Sequence, residues 1–123
     1  MDKVIKLLRE QMILCSRLSE IFGNLSTAFK EARSGLDVTS AVQKIEPLMS
    51  DLSKNDKKIQ EFLHTEKVEN LKIFIDKQPK STENEVAVRL LAQVGTLQNR
   101  IRHQITNVAR LMINSKTFIT NIF

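Results

Sequence analysis

The chain has 123 residues, of which 41% are hydrophobic and 27% charged, and these values suit a single folded domain or helical bundle. It contains neither Trp nor Tyr, which excludes base-stacking platforms and aromatic cages built on those two residues. No window reaches the roughly 18 uninterrupted apolar residues of a membrane helix, and the single cysteine, Cys15, cannot form an internal disulfide. Because the N-terminus also lacks the apolar core of a signal peptide, we expect a cytoplasmic protein that does not insert into membranes.

Residues 2–33 are predicted to form the first long helix. Apolar side chains recur there at alternating three- and four-residue intervals, which place them in one stripe along a helix, as in a coiled coil. The stripe consists of Leu8, Cys15, Leu18, Phe22, Leu25, Phe29 and Ala32, with Gln11 as its polar exception. Gly35 suits the left-handed position that follows a helix end, so we expect it to stop this helix.

Residues 38–64 are predicted to form the second long helix, with Asp37 or Ser40 as its cap. Its apolar stripe has the same spacing and consists of Val38, Ala41, Ile45, Leu48, Leu52, Ile59 and Phe62, with Asn55 as its polar member. Pro47 lies in the second or third turn. Because proline lacks the backbone N–H that a helix interior needs, it should kink the helix or mark a late start.

The remaining sequence predicts a short helix over residues 66–77 and a third long helix over residues 83–121. Pro79 interrupts the pattern between them, and Thr82 with Glu85 has the spacing of a capping box at the start of the last helix. No stretch shows the clean alternation of a strand. The expected fold is therefore all-α: a single domain over residues 1–123, formed by an elongated antiparallel bundle of three long helices and a short one.

The last helix carries two adjacent rows of apolar side chains. Packing against a single neighbouring helix would bury only one such row. The first row consists of Leu90, Val94, Leu97, Ile101, Val108, Leu111, Phe118 and Ile122, and the second of Leu91, Ile105, Met112 and Ile119. One hypothesis is that the first two helices cover both rows. The other is that part of this surface binds an amphipathic helix of another protein, to which the adaptable Met112 side chain is suited.

The formal net charge of +5 is spread thinly along the sequence. Residues 1–33 carry six basic and four acidic side chains, residues 34–82 eight of each, and residues 83–123 five basic and two acidic ones. Nucleic-acid-binding domains usually concentrate positive charge in a patch, so we predict no binding to nucleic acid. The alternative is a nucleic-acid or membrane-surface binder that uses Arg100, Arg102, Arg110 and Lys116.

Side chains that could carry catalysis or bind a metal are few and scattered. His64 and His103 have no metal-like spacing to Cys15 or to each other, and Cys15 falls within an apolar stripe. Glu83 and Glu85 stand at the start of a helix, where negative charge complements the helix dipole. The sequence therefore predicts a protein that is not an enzyme, with no catalytic residues, no cofactor and no metal site.

The layout resembles the FlgN-type flagellar export chaperones over most of the chain. The similar parts are the first apolar helix, the small-residue break ARSGLD before the second, and the last helix, LAQVGTLQNRIRHQITNVARLMINSKTFITNIF. In the last helix, Gln104 and Asn107 match the family's pair of amides, Leu111 and Met112 match its apolar pair, and Phe118 matches its aromatic residue. The chain is basic, whereas many members of the family are acidic, and Pro47 is unusual for them.

The resemblance implies a non-catalytic chaperone of flagellum biogenesis and type III protein export. Such chaperones bind the C-terminal helical segments of hook–filament junction proteins, of the FlgK and FlgL type, prevent their premature assembly in the cytoplasm, and deliver them to the export apparatus. The expected partner-binding residues are Ile101, Gln104, Ile105, Asn107, Val108, Leu111, Met112, Ser115, Phe118, Ile119 and Ile122. The alternative function is a structural or adaptor bundle that acts as a homodimer or larger homo-oligomer, with the doubled row as its self-interface.

Overall fold

The computed structural model describes the backbone of residues 1–30 and 35–122, and the side chains of residues 1–30 and 39–110. It contains four helices: α1 (Asp2–Lys30), α2 (Gly35–Glu66), α3 (Leu71–Asp76) and α4 (Thr82–Ile122). The described backbone contains no strand, which confirms the all-α prediction. At about 1.5 Å per residue, the 41 residues of α4 span roughly 60 Å.

The three long helices run up, down and up, with α1 in contact with both others. Asn55 of α2 bonds to Leu7 and Gln11 near the start of α1, so α1 and α2 are antiparallel. Ser19 in the second half of α1 bonds to Gln104 in the second half of α4, so α1 and α4 are parallel. The expected antiparallel arrangement therefore holds for α2 relative to α1 and to α4. It does not hold for α1 relative to α4.

The core divides into two clusters along the length of α1. The lower cluster, at the start of α1, draws on all four helices and includes Val4, Leu8, Ile59, Phe62, Ile75 and Ala87. The upper cluster has no contribution from α3 and consists of Cys15, Leu18, Phe22, Leu25, Ile101 and Val108. Half-buried side chains of the first half of α2 pack against the upper cluster, so this end of the bundle is less completely covered.

The predicted stripe of α1 is its buried face. Leu8, Leu18 and Leu25 are each 1–2% exposed, and Cys15 and Phe22 are also buried. Each fully buried leucine contributes roughly 1.5–3 kcal/mol relative to an exposed one. Phe29 is half-buried, and Ala32 lies outside the described residues.

The two polar exceptions in the apolar stripes pair with each other. Gln11 is 8% and Asn55 4% exposed. The Asn55 Nδ2 group donates to Gln11 Oε1 at 2.7 Å and to the Leu7 carbonyl at 3.2 Å. A shift of α2 by one heptad would set Gln11 against Leu48 or Phe62, which offer no hydrogen-bonding group. The pair therefore favours a single register of α1 on α2.

The second helix begins earlier than predicted and continues through its proline. It starts at Gly35, so Gly35 is the first residue of α2 and does not stop α1 as expected. The predicted end of α1 at residue 33 falls in residues 31–34, outside the described part of the chain. Pro47 lies inside α2 and is not a late start. Pro47 and Gln43 are both exposed, so water can satisfy the Gln43 carbonyl that the proline leaves without a donor.

A backbone turn at Lys67 ends α2 and separates it from α3. Lys67 has φ 57°, the Lys67 N–H donates to the His64 carbonyl, and the Val68 N–H donates to the Leu63 carbonyl. This is the Schellman pattern, completed by Val68 and Leu63 in the lower cluster. The Asn70 side chain then accepts from the Ile73 N–H at 2.9 Å and caps α3. The predicted short helix 66–77 is thus reduced to Leu71–Asp76.

Replacing Lys67 with glycine is expected to stabilise the protein by about 1 kcal/mol. The left-handed conformation costs an L-residue roughly this much, and glycine adopts it without a Cβ clash. The lysine side chain is exposed, so few contacts are lost. Urea unfolding monitored by circular dichroism measures the change, and a lower midpoint than that of the wild type would contradict the assignment of this turn.

The last helix is capped one residue earlier than predicted. The Ser81 Oγ accepts from the Asn84 N–H at 3.1 Å, so Ser81 rather than Thr82 is the capping residue. The Asn84 Nδ2 group donates to the Ile75 carbonyl at 2.9 Å. This bond ties the start of α4 to the end of α3, which fixes the short helix beside α4.

Candidate functional site: the cleft between α2 and α4

The first apolar row of α4 is part of the core. Leu90, Val94, Ile101 and Val108 are 4–8% exposed, and Ile101 and Val108 pack in the upper cluster with the buried face of α1. Both were expected to bind a partner. In this structure, their side chains are covered by the protein itself.

Gln104, the first of the two amides expected to bind a partner, makes two bonds to one residue of α1. Its Oε1 atom accepts from the Ser19 hydroxyl at 2.9 Å, and its Nε2 group donates to the Ser19 backbone carbonyl at 3.0 Å. Ser19 itself is buried. Gln104 therefore holds α4 on α1 in this structure, and its amide is satisfied within the chain.

The second apolar row of α4 differs from the first in its exposure. Leu91 is half-buried and packs against the lower cluster, whereas Ile105 is 46% exposed. Asn107, outside the row, is exposed as well. The structure therefore leaves Ile105 uncovered by α2, although α2 was one of the two helices that could have buried this row. The other expected partner-binding side chains lie outside the described residues: Leu111, Met112, Ser115, Phe118, Ile119 and Ile122.

Ile105 lies seven residues beyond Gln98, which lines a cleft. The cleft has a volume of about 440 Å³ and runs between α2 and α4. Leu8 and Gln11 of α1 form its floor, and Gly95 of α4 lies in one wall. A Cβ atom built on Gly95 meets nothing within 4 Å. The wall at this position is therefore open, with room for an added side chain.

The short helix α3 occupies the lower end of the same space. Its Leu71, Phe74 and Ile75 side chains are buried in the lower cluster, and Phe74 packs edge-on against Phe62 of α2 with ring centroids 4.9 Å apart. Leu71 also lines the cleft. Because α3 has only six residues, it covers the space between α2 and α4 at one end and leaves the other end open.

Each wall of the cleft is formed by a row of side chains at seven-residue intervals. On α2, Asp56 and Leu63 line the cleft, and the same row continues upward to Met49 and Val42. On α4 the row contains Leu91 and Gln98, which line the cleft, and continues upward to Ile105. Residues seven apart lie on the same side of a helix, so all three upper members face the same space.

Two hydrogen-bonded pairs give the relative levels of the helices. Gln11 of α1 is level with Asn55 of α2, and Ser19 of α1 is level with Gln104 of α4. Ser19 lies eight residues beyond Gln11. Because α2 runs antiparallel to α1, the level of Gln104 corresponds to about residue 47 of α2. The lining residues of the cleft end at Asp56 and Gln98, and the segment of α2 around Pro47 lies beyond this end, at the level of Gln104. We call the space at this level the upper part of the cleft.

Three exposed apolar side chains lie near that level on the two helices, and we call them the upper cleft surface: Val42, Met49 and Ile105. They are 48%, 49% and 46% exposed. Sequence reasoning placed the site on the last helix alone and missed the two residues of α2. The signal was present, since Val42, Met49 and Leu63 stand at heptad spacing beside the main stripe of α2, as the second row does on α4.

Replacing Gly95 with alanine is expected to stabilise the protein by about 0.5–1 kcal/mol. Glycine inside a helix costs this much relative to alanine, and the added methyl group enters open space. Gly23→Ala is the comparison at a position with a neighbour, because its Cβ would make an ordinary van der Waals contact, 3.8 Å from Gln104 Nε2. Urea unfolding compares the two variants. A destabilised Gly95→Ala protein would mean that the cleft is closed at this level.

The single cysteine of the chain lies in the upper cluster of the core. Cys15 is buried, and its burial raises the pKa of the thiol, which disfavours the nucleophilic thiolate. Within residues 1–30 and 39–110, no group of three or more His, Cys, Asp or Glu side chains is placed to hold a metal ion. Among the described helices, none combines the length and apolar content that crossing a bilayer requires.

Comparison of the sequence with models of protein families, and of the chain with curated proteins and with solved structures, gives no match. The function of the cleft must therefore be inferred from its own residues.

Proposed function

We propose that the protein binds an amphipathic helix of another protein in the upper part of the cleft between α2 and α4. The observation that carries this proposal is the upper cleft surface, three large apolar side chains from two helices, each about half exposed. Scattered exposed apolar residues are normal on a protein surface, but a group of them on the facing sides of two helices, beside an open groove, favours a docking site.

A helix is the occupant that this space favours. In the lower half of the molecule, a helix, α3, already lies on α4 in this space, and there the apolar side chains Ile59, Phe62 and Leu63 of α2 are buried. In the upper half, the equivalent side chains of α2, such as Ile45, Leu48 and Leu52, are only half-buried. A partner helix that continued the position of α3 would cover them and complete a four-helix arrangement.

The resemblance to the FlgN-type chaperones gives this binding a biological setting. We infer that the protein is a non-catalytic, cytoplasmic export chaperone and that the bound helix comes from the C-terminal segment of a hook–filament junction protein. An amphipathic segment that polymerises after export exposes apolar surface before it, and covering this surface would prevent premature assembly. Delivery to the export apparatus then requires release, which moderate affinity permits.

The proposal is tested by titrating the full chain with C-terminal segments of hook–filament junction proteins from the same organism in a calorimeter. We expect saturable one-to-one binding and a complex of matching size in gel filtration with light scattering. The heat-capacity change should be negative, because apolar surface is buried.

The homo-oligomer is the competing outcome of the same experiment. A dimer that persists at low micromolar concentration, does not bind the segments, and becomes monomeric on Met49→Asp would assign the upper cleft surface to self-association. A monomer that binds no segment would contradict both functions.

A further inference from the structure

We infer that the cleft selects a helix with acidic side chains on one flank and basic side chains on the other, because its two rims carry opposite charges. This inference rests on the proposed function and specifies the chemistry of the partner. The rims are the edges of α2 and α4 on either side of the upper cleft surface.

The rim on α2 is acidic. Glu46 lies four residues after Val42 and three before Met49, so it stands on the same edge of α2 as both of them. Glu46 is exposed, and Asp56, two to three turns further along the same side, lines the cleft. Two of the four exposed lysines of this part of α2 are close to this edge: Lys57 follows Asp56, about three turns from Glu46, and Lys58 lines a different groove, between α1 and α2. The acidic character of the rim therefore applies at the level of Val42 and Met49, where Glu46 stands.

The rim on α4 is basic. Arg102 lies three residues before Ile105, on the same edge of the helix, and is exposed. The sequence contains no acidic residue after Glu85, so no carboxylate of α4 beyond its first turn opposes this charge. By the level of the hydrogen-bonded pairs, Arg102 stands at the height of the Glu46–Met49 segment of α2.

A helix seated on the upper cleft surface would place its apolar face on Val42, Met49 and Ile105 and one flank against each rim. A carboxylate on the flank next to Arg102 and an ammonium group on the flank next to Glu46 would both be paired. A flank of the wrong sign would put like charges side by side at one rim. The matched helix is therefore of mixed charge, although the protein as a whole has a net charge of +5.

Three synthetic helical peptides test this inference. They share one apolar heptad face and differ only in their flanks: one with glutamates on one flank and lysines on the other, one with glutamates on both, and one with lysines on both. At about 0.1 M salt, we expect the mixed peptide to bind roughly three- to fivefold more tightly than either of the others, with the difference shrinking at 0.5 M. Tightest binding of the all-glutamate peptide would mean that net charge alone selects the partner and would overturn the inference.

Charge reversal on the protein gives the complementary test. Glu46→Lys makes both rims basic and should shift the preference to the all-glutamate peptide, whereas Arg102→Glu should shift it to the all-lysine peptide. The controls make the same changes on the exposed side of α1, with Glu20→Lys and Arg17→Glu, and should leave the order of the peptides unchanged.

The two proposals fail in different ways. If all peptides bind equally and Met49→Asp removes this binding, the cleft binds helices without reading their charge, and only the present inference is wrong. If the rim variants and their α1 controls shift the preference among the peptides equally, the net charge of the protein determines this preference. That result would also contradict the present inference. If no peptide binds, both the inference and the proposed helix-binding function are contradicted.

Discussion

Ile105→Asp is expected to weaken binding of the partner helix by roughly 30- to 1,000-fold, which corresponds to about 2–4 kcal/mol. A docked helix would bury the side chain at position 105, and a buried aspartate without a partner retains an unpaired charge. Folding should be preserved, because Ile105 is 46% exposed in the free protein and substitutions at such positions usually cost little.

Ile13→Asp is the matched control for this variant. Ile13 is 41% exposed and lies in a different groove, beside Val86 on the opposite side of α1 and α4. The same chemical change is therefore made at nearly the same exposure, away from the cleft. Val42→Asp, at a position that is 48% exposed in the wild type, should weaken binding as Ile105→Asp does. A loss of affinity in Ile13→Asp equal to that of the two cleft variants would contradict the cleft as the binding site.

Asn55→Ala is expected to destabilise the fold by about 2–4 kcal/mol. The substitution removes two hydrogen bonds at a site that is 4% exposed, leaves the Gln11 Oε1 atom buried without a donor, and opens a small cavity. Asn99→Ala is the control on an exposed position of α4, and it should change stability by no more than about 0.5 kcal/mol. Urea unfolding at neutral pH measures both.

The double variant Gln11→Leu with Asn55→Leu distinguishes the cost of an unpaired buried polar group from the cost of a cavity. Replacing both polar partners by apolar groups of similar size is often nearly neutral, so its stability should return to within about 1 kcal/mol of the wild type. In the cycle completed by the single variants Gln11→Leu and Asn55→Leu, the coupling energy should then be at least about 1 kcal/mol. If Asn55→Ala destabilised the protein no more than the exposed control Asn99→Ala does, the buried pair would not contribute to stability, which would contradict this account.

The helical stripes could be predicted from the sequence because a helix buries residues at a fixed period. The same pattern also singled out Gln11 and Asn55 as exceptions, since each interrupts an otherwise apolar row. Whether Gln11 and Asn55 pair depends on how far α2 is shifted along α1. The periodicity within one helix carries no information on this shift. The structure adds the 2.7 Å bond between them.

The helix boundaries were predicted less well, for local reasons. The turn after α2 uses Lys67 in a left-handed conformation, where glycine would have been the recognisable signal. Ser81 and Thr82 are both good capping residues, and only the bond from the Asn84 N–H shows which one caps α4. Periodicity gave no indication that α1 and α4 run parallel. Their relative direction depends on the path that the chain takes through α3 between α2 and α4.

The candidate site was predicted only in part. Ile105 was expected in a second apolar row, and the structure leaves it exposed beside a cleft. Ile101, Val108 and Gln104 were assigned to the same surface, because a helical row alone does not show which of its sides meets a neighbour. Their bonds and burial against α1 became clear only from the packing, as did the contribution of α2 to the cleft.

Methyl NMR of the isoleucine-labelled protein, titrated with a junction-protein segment, tests the central claim most directly. Ile105 reports on the cleft, and Ile13 reports on the groove at the back of α1 and α4. If the cleft binds the helix, the Ile105 methyl signal shifts saturably with the added segment while the Ile13 signal stays unchanged. A shift of Ile13 without one of Ile105, or no shift of either at a saturating concentration of the segment, would contradict it.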